Sequence, residues 1–238
     1  MTQLSPANAE RLGKAFLRCR DMEGTLGERL KAYAAAGREA FPAYSDAVDR
    51  LVVRLKENGG GENAPKAGET MPPFMLPDET GRLVSLQMLI GQGPVVIMFY
   101  RGHWCPYCRL NVGAVIEAHD RIHALGGKIV AIIPETQKYA AQFKSDSGAP
   151  FPVLTDLDNG YALSLNLAIW LGTDIQQLLS YLDLPGFHGN DGSMLPIPAT
   201  FVVGRDGLVK ARFVDPDFRK RMEIDDLIAA VQSAGEAR

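Results

Sequence analysis

Phe99-Tyr100-Arg101-Gly102-His103-Trp104-Cys105-Pro106-Tyr107-Cys108-Arg109-Leu110 holds two of the three cysteines in the chain, spaced C-x-x-C. Pro94 to Tyr100, just before the pair, is an apolar run rich in β-branched and aromatic residues, the composition of a buried strand. After it, Leu110, Val115, Ile116, Ile122 and Leu125 recur among polar residues up to Gly126-Gly127, which predicts a helix with a glycine stop. The cysteines therefore stand where a strand ends and a helix begins. Unpaired N–H groups and the positive end of the helix dipole favour a thiolate there, and the thiolate is the nucleophilic form.

Three other readings compete with redox chemistry. Structural zinc needs about four ligands, and Cys19 with the scattered His119, His123 and His188 does not supply that spacing. No metal site is expected. A structural disulfide closing so small a loop would restrain little of the unfolded chain. Two inert core cysteines conflict with Pro106, which prepares a first helical turn and leaves the pair at its tip. Redox cycling is the favoured reading.

Working outward, Pro6 to about Asn58 reads as helices broken near Pro42, with Leu12, Ala15, Phe16 and Cys19 on one stripe and Val48, Leu51, Val52 and Leu55 on another. Cys19 reads as a packed residue on its stripe. Short helices bury little alone, so this arm (1–58) must pack on the main domain or on a second subunit, as in a homodimer. A Gly- and Pro-containing linker follows (59–70), then a main domain (71–238). That domain reads as a hairpin from Phe74 to Val84, a short helix capped by Ser85, strands at 94–100, 128–133 and 151–155, and helices at 136–147 and 159–167. A helix starting at Gly172 runs to Leu182, and a loop spans Pro185 to Met194. The hairpin 199–214 and a helix at 224–234 close the chain. Strands alternating with helices give an α/β fold, a central mixed sheet layered by helices with a helical N-terminal extension.

Composition narrows the partners. Of the 238 residues, 46% are apolar and 22% charged, and the net charge of -3 gives no reason to expect nucleic acid. No apolar run approaches the ~18 residues of a membrane span. The polar N-terminus lacks a signal-peptide core, and few cysteines suit a reducing compartment, so cytoplasm is expected.

Several segments carry a resemblance. Pro73-Phe74-Met75-Leu76-Pro77-Asp78 with Gly81, Phe99-Tyr100, Phe151-Pro152-Val153-Leu154-Thr155-Asp156, and Pro198-Ala199-Thr200-Phe201-Val202-Val203 with Asp206-Gly207 resemble the alkyl hydroperoxide reductase/thiol-specific antioxidant (peroxiredoxin-like) group of the thioredoxin-fold superfamily. The likeness runs from about Ala67 to Gln232. It implies a thioredoxin-like fold and an antioxidant enzyme that reduces peroxides or alkyl hydroperoxides through a Cys105/Cys108 dithiol–disulfide cycle. It implies no cofactor, and an external thiol reductant of the thioredoxin or glutathione type. It also implies a cis-proline at Pro198 against the cysteines.

Two registers compete within that resemblance. The peroxiredoxin pattern P-x-x-x-T-x-x-C would make Cys108 the attacking residue, but Arg101 then replaces the proline, Cys105 the threonine, and Pro198 stands where a later arginine is expected. In the thioredoxin register, Trp104-Cys105-Pro106-Tyr107-Cys108 is similar to W-C-x-x-C, and Cys-Pro-Tyr-Cys is the glutaredoxin sequence. There a more exposed Cys105 attacks and Cys108 resolves. Substrate contacts are assigned to Trp104, which covers the site, and to Pro198; positive charge is assigned to Arg101, with Arg109 as the alternative, although both are more often solvated surface residues, and to His103, more often an exposed loop histidine. Tyr107 is expected at the surface. A thiol–disulfide oxidoreductase acting on disulfides and a non-enzymatic redox sensor remain the alternatives to a peroxidase.

Overall fold

The structure is a computed structural model describing residues 4–236. Three helices come first: α1 (Pro6–Arg20), α2 (Leu26–Ala40) and α3 (Pro42–Glu57). Pro42 does break the run, by opening α3 at a position where its missing N–H costs nothing. Thr25 and Glu28 form a reciprocal capping box at the start of α2.

A hairpin of β1 (Met75–Pro77) and β2 (Leu83–Ser85) follows, then α4 (Leu86–Ile90), whose Met88 N–H is accepted by Ser85 Oγ at 3.2 Å. Next come β3 (Val95–Phe99), α5 (Pro106–Glu117), α6 (His119–Ala124), β4 (Lys128–Ile133), α7 (Gln137–Ser147) and β5 (Val153–Thr155). The single helix expected after the cysteines is two, because the backbone tightens at Ala118 (φ −94°, ψ −2°). A 3-10 turn and α8 (Gly160–Ser164) occupy the segment read as one helix over 159–167.

The region beyond it departs furthest from expectation. The helix expected through Leu182 stops early, as α9 (Thr173–Leu178). The segment read as a loop contains α10 (Leu184–His188), and β6 (Ala168–Trp170) pairs antiparallel with β7 (Met194–Pro196). The chain ends in β8 (Ala199–Val203), β9 (Val209–Val214) and α11 (Ile224–Glu236).

Five strands form the central sheet in the order β5-β4-β3-β8-β9. The β3–β4 and β4–β5 pairs are parallel; β3–β8 and β8–β9 are antiparallel. Strand β3 is buried at every residue, which is why it reads as an unbroken apolar run. At its start, a Cβ on Gly93 would lie 2.1 Å from the Gly126 carbonyl oxygen, so glycine is needed for the strands to enter side by side. The sheet separates two hydrophobic clusters. One, with Ile97, Phe99, Phe201 and Tyr161, faces the hairpin and α8; the other, with Val96, Met98 and Tyr100, faces α5 and the arm.

The arm packs on its own domain. Helices α1 and α2 both lie against α5, and α3 lies against α9. Tyr33 of α2 meets Tyr107 edge-on at 5.2 Å, and Arg109 lies 4.5 Å over the Phe16 ring. Gly27 N–H donates to Glu223 at 2.9 Å, and Arg219 pairs with Asp49 at 2.7 Å. Among the described residues, no helix is long and apolar enough to cross a membrane.

Candidate active site

Cys105 is the N-cap of α5 and Pro106 its first residue, so the first sulfur sits at the open end of a helix of 12 residues. Cys108 lies one turn inward, within hydrogen-bonding reach of Cys105. Both cysteines are free and fully buried. Cys105 is thus not the exposed member of the pair that the sequence suggests. The arm and Phe218 cover the helix tip, and the same cover buries Tyr107 between Tyr33 and Phe218, against the expectation of a surface residue.

Two guanidinium groups flank the sulfurs. Arg101 is buried, not solvated; its Nη1 lies 4.0 Å from Cys105 Sγ, and its backbone N–H donates to Cys108 Sγ at 3.4 Å. Its guanidinium stacks 3.9 Å over Phe218 and 4.9 Å over Trp104. Arg221 enters from the opposite end of the sequence, with Nη2 3.5 Å from Cys108 Sγ and Nη1 donating to the Lys220 carbonyl at 2.7 Å and to the Phe218 carbonyl.

These groups set the two thiols apart. Burial alone raises a thiol pKa. For Cys105 that push is outweighed by the hydrogen bond from Cys108 and the charges of Arg101 and Arg221, and its pKa falls to about 6. Cys108 moves well upward, through burial first and then through its bond to the Cys105 thiolate. One sulfur is held as thiolate and its neighbour as thiol, and the two titrate as a coupled unit.

His103 is no free loop residue. Its backbone N–H and Nδ1 lie 2.7 and 2.6 Å from the carboxylate of Glu135, a fully buried residue, and its ring stacks on Tyr139 at 5.0 Å. Burial raises the Glu135 pKa against the pull of His103. Gly102 permits this approach: at φ +137°, a Cβ there would lie 2.7 Å from both Glu135 Oε1 and Trp104 Nε1. Trp104 is half-buried, with the Arg101 guanidinium over its ring. Pro198 is buried just before β8, but no peptide bond among the described residues is cis, so the expected cis-proline is trans here. The β8 ladder places Thr200, two residues on, opposite Met98.

The structure thus brings Arg101, His103, Trp104, Cys105 and Cys108 together at one end of β3. Sequence reasoning missed Arg221, Glu135 and Phe218. Arg221 and Phe218 lie more than a hundred residues from the cysteines, in a segment with no periodic signal.

A family model described as the AhpC/TSA family matches residues 67–212, more than half of the chain. Among curated proteins, the chain is 26% identical over 166 residues to a chloroplastic peroxiredoxin Q from Sedum lineare, covering 70% of this chain and 77% of that protein. Among solved structures, peroxidoxin BcpB from Mycobacterium tuberculosis superposes with a TM-score of 0.56 at 22% identity, covering 71% of this chain and 97% of that one. Reduced Prx3 from Vibrio vulnificus, in complex with hydrogen peroxide, has a TM-score of 0.56 at 17% identity, covering 70% and 98%. These structural likenesses show a shared thioredoxin-type fold.

Proposed function

The chain belongs to the AhpC/TSA family, and from that premise we propose that it is a thiol peroxidase in which Cys105 attacks and Cys108 resolves. The observation that carries this division is the pair of guanidinium groups and the Cys108 thiol that together favour the Cys105 thiolate. The thiolate sulfur attacks the terminal oxygen of a peroxide, the O–O bond breaks, and Cys105 becomes a sulfenic acid. The departing hydroxide or alkoxide takes up the proton that Cys105 released on ionising. Arg101, within reach of the same sulfur, faces the negative charge that develops on that oxygen. The Cys108 thiol then attacks the sulfenic sulfur, a disulfide forms, and water leaves. An external dithiol of the thioredoxin type, or two glutathione thiols, restores the reduced pair and is itself oxidised. A reducing compartment such as the cytoplasm supplies that donor.

The burial of both sulfurs favours this reading over direct reduction of protein disulfides. A small peroxide can approach a covered thiolate more readily than a folded disulfide partner can.

Stopped-flow oxidation of the reduced protein by hydrogen peroxide tests the assignment. Rapid oxidation is expected in the wild type, absent in Cys105→Ser. In Cys108→Ser a single oxidation should persist and stop at the sulfenic acid. Oxidation lost only in Cys108→Ser would transfer the attacking role to Cys108. Fast reduction of insulin or mixed disulfides with a slow peroxide reaction would replace the peroxidase by a disulfide oxidoreductase.

A further inference from the structure

We infer that Asp49 of α3 and Gly27 of α2 are positioning residues for the cysteine pair: from the helical arm they clamp the segment 215–222, which lays Phe218 on Arg101 and Arg221 on Cys108. The inference rests on the peroxidase reading for its catalytic meaning and on side-chain geometry for its placement. Helices α1 to α3 and this segment all lie outside the matched region 67–212, so the family likeness assigns a role to none of them.

The segment joins β9 to α11 and contains no helix or strand. Among the described residues, its only backbone–backbone hydrogen bond stays inside it, from the Lys220 N–H to the Asp217 carbonyl at 2.9 Å. Its ties to the arm are made by charged side chains. Arg219 Nη1 donates to Asp49 Oδ1 at 2.7 Å, and Asp49 pairs in turn with Arg38 of α2. Glu223, at the far end, accepts the Gly27 N–H at 2.9 Å. Only glycine admits that approach, because a Cβ on residue 27 would collide with Glu223 Oε1. In a segment without a hydrogen-bonded ladder, such contacts decide local order.

The clamped residues alternate with those that touch the redox site. Phe218 lies 3.9 Å from the Arg101 guanidinium and 5.6 Å from the Tyr107 ring. Arg221 Nη2 lies 3.5 Å from Cys108 Sγ. Slack at 219 or 223 therefore moves a cation relative to the sulfurs, and its attraction weakens with distance. Arg101 and Arg221 are the cations that favour the Cys105 thiolate. Glu135 also faces the pair, and its charge opposes that thiolate. The phenols of Tyr33, Tyr44, Tyr100 and Tyr107 are pushed upward by burial and stay neutral.

Positioning and direct electrostatics predict opposite signs. Loss of a carboxylate by its own field favours a nearby thiolate and lowers its pKa. Loss of a clamp that lets Arg221 move away raises it. Gly27→Ala removes no charge, favours the helix and displaces Glu223, so it also raises it.

The test uses the full chain, reduced, with Asp49→Ala, Asp49→Glu, Gly27→Ala and Asp46→Ala. Asp46 pairs with Arg38 in the same cluster but not with the segment. Alkylation of Cys105 by iodoacetamide is followed against pH, with the site assigned by mass spectrometry. Asp49→Ala and Gly27→Ala should each move the half-maximal pH upward from about 6. Each should slow alkylation roughly threefold at pH 6 and leave the rate above pH 9 unchanged. Asp49→Glu should return most of the wild-type profile, and Asp46→Ala should keep it. Exposed ion pairs contribute little to stability, so melting by circular dichroism should show Tm little changed in every variant. A midpoint that stays in place or moves down in Asp49→Ala and Gly27→Ala overturns the inference, and so does a loss equal at every pH. Oxidation by hydrogen peroxide at pH 6 should slow by the same factor as alkylation. An alkylation shift in a protein that hydrogen peroxide does not oxidise would keep the clamp and overturn the peroxidase reading instead.

Discussion

Arg221 Nη2 lies 3.5 Å from the Cys108 sulfur, although 113 positions of sequence separate the two residues. The guanidinium is held by carbonyl oxygens of its own segment, from Phe218 and Lys220, so its position does not depend on the sulfur it faces. It lies beyond the matched family region, 67–212, and adds a positive charge beside the pair that the sequence reading did not name.

Replacing Arg221 by Met removes that charge while keeping an extended side chain. The Cys105 pKa should rise, by about one unit for a charge at this range. At pH 6 the thiolate fraction then drops roughly fivefold, and the rate of alkylation by iodoacetamide should drop with it. Above pH 9 the variant and the wild type should converge. A uniform loss at every pH would mean that Arg221 serves folding rather than the thiol.

In the wild type, reactivity should follow the Cys105 thiolate. Its pKa of about 6 predicts half-maximal peroxide oxidation near pH 6, falling in acid and level above pH 8. Cys108, shifted well upward, should stay unalkylated through that range. Mass spectrometry after limited labelling distinguishes the two sites.

His188 is fully buried, and neither ring nitrogen has a hydrogen-bond partner among the described residues. Burial first, then the charges of Arg101 and His103, lowers its pKa from 6.5 to about 4. The unfolded chain therefore binds a proton that the folded one refuses. The linked stability is complete above pH 6.5 and drains away as pH falls toward 4, a loss of about 3 kcal/mol. His188→Phe should flatten this part of the acid denaturation curve. If the stability lost between pH 7 and pH 4.5, measured by urea titration, is the same in His188→Phe as in the wild type, the acid sensitivity belongs to other groups.

Gly102→Ala should be costly. The positive φ and the 2.7 Å approaches of Glu135 and Trp104 leave no room for a methyl group. A loss of about 1–3 kcal/mol is expected, and the His103–Glu135 pair should loosen with it. Thermal melting gives the first, and the ¹H–¹⁵N resonance of the His103 amide reports the second.

The sheet was legible because its strands carry continuous apolar runs: β3 and β4 lie almost where Pro94 to Tyr100 and Lys128 to Ile133 place them. The helix bearing the cysteines was marked by Pro106, and its far end less well, since nothing about Ala118 signals a break. Segments β6 and β7 were missed because three-residue strands carry too little period to separate from a loop. In the site, residues local to the motif could be named, but their exposure could not. Arg101 and His103 look like ordinary loop residues in sequence; only packing by Phe218, Trp104, Tyr139 and Glu135 makes them interior. The resemblance also implied a cis bond at Pro198, and the backbone there is trans.

The two-sided enclosure of the motif bears on how this catalyst can be dissected. Residues 67–212, cut out as a unit, would keep every strand of the central sheet but only part of β9, and would leave behind Tyr33, Phe218 and Arg221. Such a fragment would carry its sulfurs bare to water and short of one compensating cation. Its thiols would titrate closer to those of a free peptide, and its chemistry would not describe the protein itself.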